Sequence, residues 1–267
     1  MIMIATDRLS ARRLAAHALF AGLALGPLAA CASAPPPSGA ALCSYSDLAR
    51  LKAHKADASA KADSARLLAT RTGRIEPVSF AGEAQSNATP AQRALIANAM
   101  ERTLCNDLSA RFEVVAAPDK ADLTLKTVVT RIKPTNVGAA ALSLAISFVV
   151  PAPRLPVGLG GFAAEAEGLG PEGDQAAAMV WSRNADSFSG KRASSIGDAY
   201  DLSTRFAHDL SKLLLDANGS ADPKAFARGK AGGAACSVYG KRPGVSGAVA
   251  GLFGAPPEWT DGKRSNR

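Results

Sequence analysis

Between Asp122 and Lys133 the chain alternates, with Leu123, Leu125, Thr127, Val129 and Arg131 at one parity and Thr124, Lys126, Val128, Thr130 and Ile132 at the other. Successive side chains of a strand point to opposite faces, so the run predicts one long strand with a face turned to a core. Such a strand needs hydrogen-bonding neighbours and a layer over its apolar side. The rest of the chain has to supply both.

The neighbours are legible on either side. Ile75, Val78 and Phe80 within Arg74 to Ala81 predict a short strand, and so does Arg111 to Val115, before the turn Pro118-Asp119-Lys120. Phe162 to Leu169 and Gln175 to Arg183 predict a hairpin about Gly170-Pro171-Glu172-Gly173. The covering layer comes from two helices. One opens at Thr89-Pro90, a hydroxyl cap followed by proline, and carries Leu95, Ile96, Ala99, Met100, Leu104 and Leu108 as a stripe to about Ala110. The other runs from about Asp198 to Ala217 with Leu202, Phe206, Leu210, Leu213 and Leu214 on one side, stopped by Asn218-Gly219. The expected fold class is α+β: a two-layer α/β sandwich, a mostly antiparallel sheet of four to five strands with two helices on one face. Aromatic residues make up only 5% of the chain, so its core is expected to be built of small side chains.

Two stretches resist this pattern. From Lys52 to about Thr70 the chain is rich in Ala, Lys and Asp without Gly or Pro, which predicts a surface helix or a loosely attached segment. Val137 to Val150 carries no charge and leads into the Pro- and Gly-rich run Pro151 to Gly161. As a helix its fourteen residues reach about 21 Å, too short to span a bilayer. It either closes the open face of the sheet or offers Leu142, Leu144, Ile146 and Phe148 as a docking surface for a partner.

The N-terminus is a targeting element. Arg8, Arg12 and Arg13 precede an apolar run from Leu14 to Pro27 and then Leu28-Ala29-Ala30-Cys31. The tetrapeptide resembles the lipobox of bacterial lipoproteins, which implies cleavage before Cys31 and acylation of its thiol. Several acyl chains anchor a protein stably where a single one binds reversibly. Ala at position 32, rather than Asp, resembles the pattern of lipoproteins sorted to the outer membrane. Ala32 to Ala41, with Pro35-Pro36-Pro37, is expected to act as a spacer. The organisation follows: 1–30 signal peptide, 31–42 lipidated Cys and linker, 43–72 helical or loose segment, 73–219 α/β domain, and 220–267 a basic Gly/Ala/Pro-rich tail expected to lack order.

The net charge of +8 falls to +6 once the leader is removed. From Pro223 onward the tail holds that entire excess, leaving a formally neutral body. Such a tail can meet anionic headgroups or cell-wall polymer, or simply remain solvated. The anchor removes nucleic acid as a partner. Beyond Cys31 there are three cysteines, Cys43, Cys105 and Cys236. An oxidising compartment permits one bridge, and the sequence does not choose the pair. A Cys43–Cys236 bridge would tie the two ends of the body together.

Motifs of catalysis are missing. His54 and His208 do not sit as a triad base or zinc ligand, and neither a Cys-x-x-Cys, a nucleophile elbow nor a phosphate loop occurs; Gly158-x-Gly160-Gly161 lacks a preceding strand. Glu165 and Glu167 fall on one face of a strand. They could form an acid/base or metal pair, though solvent-facing strand residues are the simpler account. No catalytic residue, metal or cofactor is assigned.

Beyond the lipobox, four stretches carry a resemblance: Tyr45-Ser-x-Leu48; Arg111-Phe112; the run Ala121-Asp-Leu-Thr-Leu-Lys-Thr-Val-Val-Thr-Arg-Ile-Lys-Pro-Thr-Asn136; and Pro153-Arg-Leu-Pro-x-Gly-Leu-Gly-Gly161 leading into Ala-Glu-Ala-Glu167. Together they resemble the exported lipoprotein family known as domain of unknown function 3313, over most of residues 43 to 216. That resemblance supports an envelope location and implies no active residues. The expectation is a non-enzymatic, outer-membrane-anchored periplasmic lipoprotein whose partners are the bilayer, through Cys31, and an envelope protein or cell-wall polymer. Its alternatives are an enzyme acting on envelope polymers through Glu165 and Glu167, and a passive membrane-to-wall tether using the basic tail.

Overall fold

A computed structural model describes residues 39, 41–52, 55–117, 119–139, 158–186, 189, 192–217, 235–239 and 243–261. Cys31, His54 and the candidate docking residues Leu142, Leu144, Ile146 and Phe148 lie outside them.

The elements run β1 (Ala49–Leu51), β2 (Asp57–Ala62), α1 (Ser64–Ala69), β3 (Thr72–Ile75), β4 (Ser79–Phe80), α2 (Glu83–Ser86), α3 (Pro90–Leu108), β5 (Glu113–Val114), β6 (Leu123–Lys133), β7 (Gly161–Leu169), β8 (Gln175–Asn184) and α4 (Gly197–Ala217). A 3-10 turn (Ala235–Tyr239), α5 (Val245–Leu252) and α6 (Pro257–Thr260) follow. The class is α+β, as expected, but the sheet is larger and mixed. Its eight strands run β1-β2-β8-β7-β6-β3-β5, with β4 also on β6. From β1 to β6 every pairing is antiparallel, whereas β3 and β4 lie parallel to β6, and β5 parallel to β3. Parallel neighbours need a long crossover, and α3 provides it between β3 and β5.

The added strands arise in two ways. Ala58 and Ala60 alternate with Ser59 and Lys61, and pairing with β8 buries both alanines under the helices. The high helix propensity of this Ala/Lys stretch is thus overridden by its place in the sheet between β1 and β8. The stretch expected as one strand from Arg74 to Ala81 is two, β3 and β4, interrupted around Pro77, which has no N–H to give a ladder.

In β6 the alternation breaks where the sequence does not show it. The register with β7 slips between Val129 and Arg131, leaving Thr130 as a bulge. One extra residue flips every side chain beyond it to the other face. Arg131, expected alongside Val129, is turned away, and Ile132 enters the core fully buried.

α3 begins with a capping box, Thr89 and Gln92 each bonding the other's backbone N–H. It packs with α4 over one face of the sheet, bringing Ile96, Met100, Leu104, Leu202, Phe206, Leu210 and Leu214 onto Leu123, Leu125, Val129 and Ile132. Small residues do fill much of this core, yet its centre is aromatic. Phe162, Trp181 and Phe206 meet at ring-centroid separations of 5.9 to 6.3 Å, edge-on or tilted. The buried Trp181 indole N–H donates to Asp209 at 2.8 Å.

Cys105 of α3 is disulfide-bonded to Cys236, and Cys43 is free and exposed. This corrects the Cys43–Cys236 pairing: Cys43 sits on the far side of the sheet from the helix layer that carries Cys105. Within the stretch expected to be a structureless tail, residues 235–239 and 243–261 are helical or turned, and are tied to α3 and α4.

Candidate functional site: a carboxylate clasp behind the sheet

The central strand β7 is buried along its whole length, because both faces of the sheet are covered there. Phe162, Ala164 and Ala166 face the helices. Glu165 and Glu167 face the other way, beside Val128 and Lys126 of β6 and Val180 and Ala178 of β8. As the spacing predicts, the two carboxylates share a face. They are not solvent-facing: Glu165 is 1% exposed and Glu167 3%.

What covers them is the chain that follows the Pro-rich linker. The backbone N–H groups of Gly39 and Ala41 donate to the two oxygens of Glu165, the second at 2.9 Å, and the Tyr45 hydroxyl donates to Glu165 as well. Glu167 accepts from the Cys43 N–H at 2.9 Å, from the Cys43 thiol at 3.3 Å and from the Gln175 side-chain amide at 2.9 Å. Each carboxylate therefore receives three donors, the arrangement an acceptor-only group needs once it leaves water. Leu42, Tyr45 and Leu48 complete the cover by packing on Ala178 and Val180.

Local sequence makes the approach possible. A Cβ at position 39 would lie 2.2 Å from the Thr130 methyl, so only glycine lets the backbone reach the bulge and Glu165 beyond it. The Asp47 backbone, at φ +63°, turns the segment from the clasp into β1. Burial, then the bond to Glu165, raises the Tyr45 hydroxyl above its ordinary pKa. The Cys43 thiol is raised too, chiefly by its bond to Glu167 and by that carboxylate's charge. With both carboxylates fully engaged, any substrate would have to displace the segment first.

Other residues play different parts from those the sequence suggested. Asp198, at the start of α4, is 2% exposed and accepts from the Gly160 N–H at 2.7 Å and the Thr135 hydroxyl at 2.9 Å. It joins the end of β6 and the start of β7 to α4. His208 is on the exposed side of α4, and its Nδ1 meets the Asp107 carboxylate of α3. Sequence reasoning missed Arg102 and Asp261, a buried ion pair at 2.9 Å to which the Tyr200 hydroxyl also donates. Burial and the Asp261 charge push that hydroxyl far above the ordinary tyrosine value. A cleft of 470 Å³ lies beside Arg66, Thr70, Asp122 and Asp174. Three of its charged residues are engaged: Arg66 pairs with Asp63 and Asp174, and Asp122 accepts the Arg71 and Thr72 N–H groups, which lowers its pKa. Among the described residues no group of three or more His, Cys, Asp or Glu is placed to hold a metal, and no helix is long and apolar enough to cross a membrane.

Over residues 38–210 the chain matches the profile of a family described as protein of unknown function (DUF3313). No curated protein matches it. Among solved structures, the PelC dodecamer from Paraburkholderia phytofirmans is similar at 15% identity and a TM-score of 0.38, over 60% of this chain and 97% of that one. A variant of the same PelC in another crystal form gives 14% and 0.38, over 62% and 99%. A DUF4136 family protein from Bacteroides thetaiotaomicron gives 10% and 0.33, over 60% and 97%.

Proposed function

The chain belongs to the DUF3313 family of proteins of unknown function, and on that premise we propose that it is a lipoprotein held through Cys31 at the periplasmic face of an outer membrane, its body a non-enzymatic binding or accessory module of the envelope. The observation that carries this reading is the Leu28-Ala29-Ala30-Cys31 lipobox after a basic and then apolar leader. The Cys105–Cys236 disulfide supports it, because such bonds persist in oxidising compartments and are rare in the cytosol. The clasp gives the anchor a mechanical meaning. Gly39 lies eight positions after Cys31, a reach of about 28 Å at full extension, and beyond Gly39 the chain is fastened to the centre of the sheet. Load on the lipid therefore passes into β7 rather than into a free linker.

The non-enzymatic part of the proposal draws on the same clasp. Glu165 and Glu167 are the one carboxylate pair the sequence offers for chemistry, and both oxygens of each are engaged by the protein's own donors. Labelling growing cells with radioactive palmitate tests the anchor. The wild-type chain is expected to take up label and sediment with membranes, and Cys31→Ser to do neither. An unlabelled, soluble wild-type chain would overturn the proposal.

A further inference from the structure

A surface helix ordinarily buries its apolar side and shows its polar one. α5 does the reverse. Gly247 and Gly251, four residues apart, take the packed side: a Cβ on Gly247 would lie 2.8 Å from the Thr260 carbonyl oxygen of α6, and one on Gly251 2.9 Å from the Arg192 guanidinium of the body. The large apolar residues point out, with Val245 85% and Leu252 83% exposed, and Trp259 of the adjoining α6 81% exposed. Phe253 and Val249 are exposed as well, at 60% and 44%.

Polar contacts hold the segment in place. Asp261 forms the buried pair with Arg102, Ser194 donates to Glu258 at 2.7 Å, the Ala193 N–H donates to the Gly254 carbonyl at 2.9 Å, and Arg192 reaches the Thr260 hydroxyl at 3.3 Å. Arg192 is itself fixed by Asp201 at 2.9 Å. The apolar cluster is thus displayed on a rigid mount.

Charge selects the occupant. Lys241 and Arg242 precede the helix pair and Lys263, Arg264 and Arg267 follow it, while the two acids of the stretch, Glu258 and Asp261, bond to the body. Tryptophan and aliphatic residues between cationic flanks suit the headgroup boundary of an anionic bilayer. Five like charges flanking the pair in sequence would oppose a second copy of the chain. We infer that α5 and α6 form a second membrane contact, which inserts Val245, Leu252, Phe253 and Trp259 into a bilayer bearing anionic phospholipid. The inference shares with the lipid-anchor reading only a bilayer within reach, and the test omits the anchor so that the two fail separately.

The test uses unacylated residues 32–267 with vesicles of phosphatidylethanolamine and phosphatidylglycerol, and with neutral phosphatidylcholine vesicles. The chain has two tryptophans, and Trp181 is 1% exposed, so a blue shift of emission on binding reports Trp259. Binding to the anionic vesicles with that shift is expected. Leu252→Ser with Trp259→Ser should weaken it at least roughly tenfold, and Lys263→Ser with Arg264→Ser several-fold on anionic vesicles only. Leu252 and Trp259 are exposed, so their replacement should leave folding intact, and an unchanged melting temperature checks this for both variants. The inference is overturned by no binding, by binding that these variants leave unchanged, or by variants that abolish self-association or binding to cell-wall sacculi in place of vesicle binding.

Discussion

The two faces of the sheet are covered by different means. On one, α3 and α4 bury Phe162, Trp181, Met179 and Phe206 with a broad field of Leu, Ile and Ala. On the other, a single irregular segment, Gly39 to Leu48, is held by two buried carboxylates and a small cluster of Leu42, Ala178 and Val180. Apolar burial is nondirectional and scales with area, so it tolerates modest change and fails gradually. Hydrogen bonds to buried charge are directional, and losing either partner leaves the other stranded. The helix layer should set global stability, and the clasp should set a local event, release of the membrane-proximal segment.

The largest effect expected is therefore on the helix side. Trp181→Ala removes the central ring and leaves a cavity, at a cost of about 3 to 5 kcal/mol in denaturant unfolding. A smaller loss than Glu165→Ala produces would break the contrast between the faces.

Glu165→Ala comes next. It strands the N–H groups of Gly39 and Ala41 and the Tyr45 hydroxyl, worth about 1 to 3 kcal/mol toward opening of residues 39–48. Limited proteolysis should cut near Ser46 while the core melts almost unchanged. Equal loss of both would show the two layers to be one cooperative unit.

Sequence and structure agree most where local periodicity and global packing say the same thing. α3, α4 and the β7–β8 hairpin lie within a residue or two of expectation because their stripes, caps and turn residues all point one way. The misses share a cause. β2 is an alanine strand written in helix-forming residues, and only its partner β8 decides its state. The Thr130 bulge has no composition of its own, and the residue that closes on it is Gly39, ninety-one positions earlier. The site was half legible: Glu165 and Glu167 stood out as a pair, and Tyr45-Ser-x-Leu48 as a motif, but nothing local says that Tyr45 answers Glu165. A non-local pairing of one polar residue with another leaves no period to find.

Two smaller effects sharpen the picture of the clasp. In residues 32–267 Cys43 is the one free thiol, as Cys105 and Cys236 are bridged. Glu167→Gln removes the carboxylate that raises its pKa, so iodoacetamide should react with it several-fold faster near pH 8. An unchanged rate would separate Cys43 from Glu167. Tyr45, raised above its ordinary 10.0, favours the clasped state in its protonated form. Its contribution is fully present below that value and is lost as pH rises through the raised one. Proteolytic release of residues 39–48 should accelerate above about pH 10, and Tyr45→Phe should flatten that rise while weakening the clasp at neutral pH.

The account stands on the backbone between the linker and β1 being fixed rather than free. Hydrogen exchange at the Ala41 and Cys43 amides measures this directly in the mature chain. The clasp predicts protection of both amides well beyond that of an unstructured peptide, falling selectively at Ala41 in Glu165→Ala and at Cys43 in Glu167→Ala. Exchange of both at the unstructured rate in the wild-type chain would contradict it.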